Sequence, residues 1–379
     1  MTEAVGEAFL RLERWGWERQ WAGTDPYDGL NATRLAGPFR RSVTGRRLLT
    51  QAVKRSPLDL RPALGIPRAR SAAAAALVAS SYATQRILPD DDTARKLDHM
   101  LDVLLEERLP GYDEPCWGYH FDVQTRVFFY PRGAPNTIVT AFAGLALLDA
   151  HARTGRPELL EHAEAVARFF VRHVPQTATP EGAYFGYLVG DRTPIHNASM
   201  LVAALLARVA DQTGSDDARE RAQRAVDYTV AHQRPDGSWS YGELPHLGWV
   251  DNFHTAYVLE CLAACRDSGL ERCEDAFRAG LRYYASALFL PDGTPKYMPR
   301  SVYPIDGQCA AEAIRTFATA GNLDFARRSF EYAQRCLARG DGAYVFQRER
   351  LWTNRQPHIR WVEAPFLLAL ATLSRAAEA

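Results

Sequence analysis

The 379-residue chain lacks net charge: Lys and Arg number 45, Asp and Glu 45. That balance removes the broad attraction for nucleic acid or for an anionic membrane. No run of 18 uncharged apolar residues occurs, so no transmembrane segment is expected. The opening MTEAVGEAFLRLERW has no basic stretch ahead of an apolar one. No signal peptide is read, and the cytoplasm is the expected compartment. There is no GxxxxGKS loop, no GxGxxG after a strand, no HExxH and no GxSxG, so no organic cofactor and no nucleophile-elbow hydrolase is expected. The six cysteines form no CxxC pair. Cys261 and Cys265 lie one helical turn apart, yet zinc would need two more ligands and His254 is the only obvious one. They read as small buried hydrophobes, and no metal is expected.

What is present is ordinary globular composition, 47% hydrophobic and 24% charged, with an internal repeat. Four segments resemble one another: TPEGAYFGYL, RPDGSWSYGE, LPDGTPKYMP and RGDGAYVFQR. EPCWGYHFDV is a looser fifth. Their glycines, Gly118, Gly182, Gly237, Gly293 and Gly342, are spaced by 64, 55, 56 and 49 residues. Most of these turns follow an amphipathic helical stretch, such as Glu158–His173, Asp216–His232 and Glu271–Leu288. Each is followed by a second helix apolar nearly all round: Asn136–Ala150, Ile195–Val209, Asn252–Ala264, Gln308–Ala318 and Val362–Ser374. Ala69–Thr84 precedes the set. Helices apolar on every side are enclosed on every side. Six such helices, the last as apolar as the middle ones, fit a closed all-α (α/α)6 toroid with short β ribbons in its turns. An open solenoid would need polar caps. Residues 66–379 are expected to form the toroid. Residues 1–65 read as one helix, about Glu3–Arg19, then irregular chain packing on the ring and supplying its sixth outer helix.

The starts of the inner helices align. His196, Asp251, Asp306 and Glu363 recur at 55, 55 and 57 residues. Equivalent positions of a toroid form a ring at one mouth, so these side chains are expected to converge on a central cleft. Asn136, Asn197, Asn252, His254 and Gln308 accompany them. Trp117, Tyr119, Phe185, Tyr187, Trp239, Tyr241 and Tyr297 come from the turns, and Trp249, Trp352 and Trp361 flank the helix starts. Capping alone would also put Asp and Asn at helix starts, worth about 1 kcal/mol each. Glu363 is a poor cap and sits beside His358 and Arg360 in HIRWVE. Acids, His and Arg among Trp and Tyr suit sugar: aromatic faces stack on pyranose rings and carboxylates move protons.

The segment Gln233-x-x-x-Gly237-x-Trp239 resembles the QW repeat of squalene-hopene cyclases, where it is structural. Asp90-Asp91-Asp92-Thr93-Ala94 is similar to the cyclase acid motif, but Pro89 stands at its first aspartate, and an Asp-rich helix start explains the run. More broadly, DPYDGLN (Asp25–Asn31), KRSPLDLRPALGI (Lys54–Ile66), CWGYHFDVQTR (Cys116–Arg126), HNASMLVAALLARV, DGSWSYGE, WVDNFHTAYVLE, YPIDGQCAAEAI and NRQPHIRWVEAPFLLALATL together resemble a bacterial family found with polysaccharide-biosynthesis genes. The resemblance runs from about Asp25 to Leu373. It implies the toroid and a link to glycan chemistry. At the level of fold the chain is similar to six-hairpin glucuronyl epimerases, unsaturated-uronyl hydrolases and polysaccharide lyases.

The expected activity is therefore hydrolysis, elimination or C5-epimerisation of a sugar polymer, oligosaccharide or uronic acid. Glu363 and Asp251 are the candidate acid and base, with Asp306, His254 and Tyr241 sharing proton transfer. Arg126 or Arg360 would neutralise a substrate carboxylate. Trp117, His120, His196, Asn197, Trp239, Glu243, Trp249, Asn252, Gln308, His358 and Trp361 complete the candidate binding set. A terpene-cyclase-like enzyme with an aromatic cavity and a non-catalytic glycan-binding assembly protein are the alternatives.

Overall fold

The computed structural model describes residues 2–34 and 36–378. Its inner helices are Ala72–Thr84, Thr137–Thr154, His196–Thr213, Asn252–Asp267, Gly307–Thr319 and Ala364–Glu378. Each packs on the next, and the last packs on the first, so the ring is closed. Composition explains their place. In Ala72–Thr84, AAAAALVASSYAT, every residue but the last is buried. Short, mostly small side chains let a helix be surrounded by neighbours without voids.

The outer helices Asp90–Glu106, Pro157–His173, Asp216–Ala231, Cys273–Ala287 and Leu323–Cys336 each pack back on the inner helix before them. They are amphipathic as read: Ala218, Ala222, Ala225, Val226 and Thr229 are buried while the Arg and Glu residues face out. Gly155 and Gly214, both in the left-handed region, end two inner helices and start the return. The sixth outer position is filled by Thr2–Trp17, which packs on Ala364–Glu378. The turn glycines hold outer helices together. A Cβ on Gly237 would lie 2.4 Å from the Ala279 carbonyl oxygen of the next outer helix. One on Gly342 would lie 2.7 Å from that of Arg11, so the last turn docks on the first helix.

Short antiparallel ribbons decorate the turns. Val123–Gln124 pairs with Phe129–Tyr130, Gln176–Thr179 with Gly182–Phe185, and Gln347–Arg348 lies between Ile305–Asp306 and Thr353–Asn354. No helix of the described residues is long and apolar enough to cross a membrane.

Residues 20–65 are less irregular than their sequence suggests. Val43–Arg55 is a helix, opened by Ser42, whose hydroxyl accepts from the Gly45 amide. Leu49 and Val53 bury one narrow face with Leu30, Ala32, Ala36 and Ile66. Two apolar positions among four basic residues are too thin a stripe to read from periodicity. The segment is tied down by buried polar bonds. Arg61 grips Asp28 through Nε at 2.8 and 2.9 Å and the Asp25 carbonyl at 2.7 Å, and it also reaches Gln356. The Asn354 amide donates to the carbonyls of Lys54 and Ser56.

Candidate active site

At the end of the ring where the inner helices begin, a cavity of about 300 Å³ opens. Its size is at the lower end of small-molecule sites, which run to about 1,000 Å³. Asp251 is the N-cap of the fourth inner helix, and its carboxylate accepts from the His254 amide at 3.1 Å. One helical turn on, His254 returns its ring to the same group: Nδ1 lies 2.7 Å from Oδ2. Trp249 Nε1 donates to that oxygen at 3.0 Å. A carboxylate that accepts from Nδ1 fixes the tautomer and leaves Nε2 as the basic nitrogen. Nε2 has no hydrogen-bond partner among the described residues. The ring is clamped between Tyr241 (4.5 Å between centroids) and Phe253 (4.0 Å), and Tyr241 stacks on Trp249 at 4.6 Å.

Around this dyad stand Tyr27, Tyr119, Tyr130, Tyr187, Tyr257, Tyr297 and Trp361, so the wall is aromatic on nearly every side. Burial pushes the phenols of Tyr130, Tyr241 and Tyr297 well above their usual range. They are neutral hydrogen-bond donors at any physiological pH. Two cations line the cavity. Arg360 is committed to Asp25 through a two-pronged ion pair at 2.5 and 2.9 Å. Arg126 lies over the Trp249 ring at 4.7 Å and pairs with no carboxylate among the described residues. Asn197 Oδ1 and Gln308 Oε1 are buried without hydrogen-bond partners. Both residues line the cavity.

Of the residues expected at the mouth, Asp251, His254, Tyr241, Arg126, Asn197, Trp249, Gln308, Arg360 and Trp361 are brought together, with Tyr119, Tyr187 and Tyr297 from the turns. The others lie elsewhere. Glu363 is fully buried and accepts from the Tyr344 amide at 3.1 Å. Its displacement has a cause: Ile359–Glu363 is a π-helical turn, so the helix-start position is His358. Equal spacing in sequence ceases to be equal position in the ring. Asp306 is fully buried, capping Gln308 and receiving Gln347 and the Trp361 indole, so it braces the wall from behind. His358 is likewise buried, with Nδ1 3.0 Å from the Thr24 hydroxyl.

His196 is buried between Glu243 (2.8 Å) and Thr229 (3.3 Å). Burial pushes its ring below the usual histidine range, so His196 and Glu243 form a pair outside the cavity. Asn252 is spent on Leu288 and Tyr284. Trp117 and Trp239 are buried, with indoles bonded to the carbonyls of Leu104 and Thr229. His120 lies on an extended stretch where Tyr119 turns inward, and alternation sends His120 to a small cleft beside Asp25 and Phe121. The Asp90–Asp92 run starts an outer helix, with Asp90 exposed and paired to Arg153.

Sequence reading missed Tyr27, Tyr130, Phe253, Tyr257 and the partner of Arg360, Asp25. For Tyr27 and Asp25 the signal was DPYDGLN, whose turn residues and single aromatic carry no period that ties them to the ring; Phe253 and Tyr257 lie on an inner helix and read as core.

A second cavity, about 740 Å³, opens at the other end of the same helices. Leu77, Phe142 and Tyr257 line both, and form the floor between them. Two of its arginines answer carboxylates: Arg315 to Glu260 at 2.7 Å, Arg208 to Asp149 at 2.8 Å. It holds one histidine, His151, whose Nδ1 lies 2.8 Å from the Arg156 carbonyl, but among the described residues it has no carboxylate–histidine dyad set in aromatic rings, and we assign the site to the smaller cavity.

No protein-family model matches the chain, and no curated protein matches it. Solved structures do. Cellobiose 2-epimerase from Bacillus thermoamylovorans aligns with 82% of this chain and 88% of its own at 12% identity, TM-score 0.63. An α-mannanase of family GH76 from Bacteroides thetaiotaomicron aligns with 83% of this chain and 89% of its own at 11% identity, TM-score 0.63. A family 88 glycosyl hydrolase from Bacteroides vulgatus aligns over 81% and 92% at 10% identity, TM-score 0.58. At such identities the likeness establishes the shared six-hairpin toroid.

Proposed function

We propose that this chain is a glycan-active enzyme that removes a proton from a sugar carbon beside a carboxylate or carbonyl group. The observation that carries the reading is the His254–Asp251 dyad, with Nε2 open to an aromatic cavity and the unpaired Arg126 on the same wall. Nε2 takes the proton. Asp251 holds the imidazole in place and steadies the imidazolium. Arg126 receives the negative charge that develops on the substrate. Asn197 and Gln308 offer free acceptors to sugar hydroxyls, and Trp249, Tyr241 and Trp361 offer faces.

This favours epimerisation or β-elimination over hydrolysis. Hydrolysis by two carboxylates needs a second acid facing the sugar. Among the described residues Asp251 is the cavity's one lining carboxylate, and it is committed to His254 and Trp249. A cyclase would need a strong acid in the aromatic cavity, and the Asp90–Asp92 run lies on an outer helix. That an epimerase and glycoside hydrolases share the toroid supports a glycan substrate. The resemblance to chains found with polysaccharide-biosynthesis genes points to a cell-surface glycan or its precursor. The free cysteines fit a reducing, cytoplasmic setting. Residues 1–65 act with the toroid as one unit, bringing Tyr27 and Asp25 to the cavity.

The test is incubation with uronic-acid and neutral oligosaccharides in heavy water, followed by mass spectrometry and proton NMR. Deuterium gain at one carbon, or an unsaturated product, is the expected result, abolished in His254→Gln. Product heavier by water with His254→Gln fully active would sink the reading.

A further inference from the structure

We propose that Tyr27 is the second catalytic residue, the acid that completes the reaction His254 opens, and that Lys54 is its positioning residue. The proposal rests on the proton-abstraction reading above and adds the group that reading lacks. A carbanion-like intermediate must be quenched, and His254 stands on one side of it only.

Tyr27 lines the cavity, and Lys54 Nζ sits 3.0 Å from its hydroxyl oxygen. The ammonium is buried, 8% exposed, with Nζ over the rings of Tyr27 (4.3 Å) and Trp361 (5.3 Å). No carboxylate lies within ion-pair distance of it among the described residues, and the charge it answers at longer range is Asp306, behind Trp361. A buried, unpaired ammonium is costly, and proteins keep such groups where a charge develops. Because Lys54 donates to the Tyr27 oxygen, the tyrosine's own hydrogen is left to point away, into the cavity. A phenolate formed there would sit directly against the ammonium. The other phenols of the wall have no cation hydrogen-bonded to the oxygen.

Tyr27 is two rings away from His254 along the wall: 5.6 Å to Trp361, a further 5.4 Å to Phe253, then 4.0 Å to His254. The proposed place for the sugar is between them, with the base on one side and the phenol on the other. The loop is rigid. The Tyr27 amide donates to Asp25 at 2.9 Å, the Asp25 amide to Asp28 at 3.0 Å, and Arg61 locks Asp28. The two conspicuous N-terminal motifs thus have one purpose: DPYDGLN presents the acid and the Lys54 end of KRSPLDLRPALGI charges it.

The steps balance without a co-reactant. Nε2 of His254 takes the proton, and the C–H electron pair moves into the enolate beside Arg126. In epimerisation the Tyr27 O–H bond breaks, its proton joins the opposite face of the same carbon, and the enolate collapses. In elimination the enolate expels the oxygen on the next carbon, a C=C bond forms, and the departing oxygen takes the Tyr27 proton. Solvent water then moves the proton from His254 back to Tyr27.

The experiment separates the two halves. In heavy water with an acidic oligosaccharide, Tyr27→Phe is expected to keep deuterium wash-in within about threefold of the parent while product formation falls at least about 100-fold. His254→Gln loses both. Lys54→Met is expected to lower kcat by about 100-fold with KM within about threefold, and Lys54→Arg to recover about a tenth of the parent kcat. A purely structural lysine would show neither that split nor the rescue. Product from Tyr27→Phe at the parental rate, with His254→Gln inactive, overturns this proposal and leaves the proton-abstraction reading standing. Absence of both exchange and product in the parent chain overturns the two together.

Discussion

Where the inner helices begin, about 300 Å³ of space is bordered by groups with one valence left open: His254 Nε2, Asn197 Oδ1, Gln308 Oε1 and the guanidinium of Arg126. Where the same helices end, about 740 Å³ is bordered by two ion pairs, Arg315 with Glu260 and Arg208 with Asp149, beside other charged side chains. Helix dipoles explain part of the contrast. Six N-termini favour acidic caps and an anionic guest, and six C-termini favour arginine. The rest is a matter of what is left over after folding. Volume alone points to the larger end; the His254–Asp251 dyad with its open Nε2 points to the smaller.

The sharpest way to break this contrast is at the dyad. His254→Gln should lower turnover by about 10³- to 10⁴-fold with an unchanged melting temperature. Asp251→Asn should cost about 10²- to 10⁴-fold, since asparagine still caps the helix but no longer fixes the tautomer. Steady-state kinetics beside thermal melts read both. A melting temperature that collapses in either would mean that the dyad is a structural cap.

At the other end the signature should invert. Arg315→Met leaves Glu260 buried without its cation, at a cost of about 3–5 kcal/mol by denaturant unfolding. Turnover per folded molecule should not change. Glu312, next to that pair, sharpens the point through pH. Burial first, and then the charge of Glu260, push its carboxyl from 4.5 up to about 8. The folded state therefore holds a proton that the unfolded chain gives up, and stability from this group falls as pH rises from about 4.5 to about 8. Glu312→Gln should flatten the decline in melting temperature across that window. The smallest effect is expected at Glu363. Its buried carboxyl, pushed well above its usual range by desolvation, accepts from the Tyr344 amide away from the cavity. Glu363→Gln should keep turnover within about twofold, a change too small for a group that moves the substrate's proton.

The fold was legible because its signal is repeated. A single Gly-aromatic turn is weak, but five at nearly regular spacing, each followed by an enclosed helix, leave little but a ring. The proposed site was half legible. Asp251 and His254 could be found because repeats align helix starts, and helix starts face one mouth. The alignment failed where one π turn slips the register at Glu363, and where a polar group turns outward to satisfy a neighbour, as His196 does with Glu243. Trp117 and Trp239 look like sugar platforms in sequence. Their indole N–H groups found carbonyls in the wall instead, and stacking on sugar was no longer open to them. Tyr27 and Lys54 belong to no repeat, so no period could bring them to the cavity.

The sixth hairpin joins Thr2–Trp17 to Ala364–Glu378, two helices that lie at opposite extremes of the described chain. During synthesis the first of these leaves the ribosome long before its hairpin partner, with only the first hairpin to lean on, through Glu13 with Tyr82 and Lys96. Until then the other repeats form an arc whose two end helices are both unsheltered. Closure is thus a late, long-range event, slow by topology and open to a rival: the first helix of one molecule can dock on the last repeat of another. The same geometry means that the ring has no privileged starting point. A chain cut at an exposed outer turn and rejoined through a linker between these two helices would carry the same neighbours in a different order.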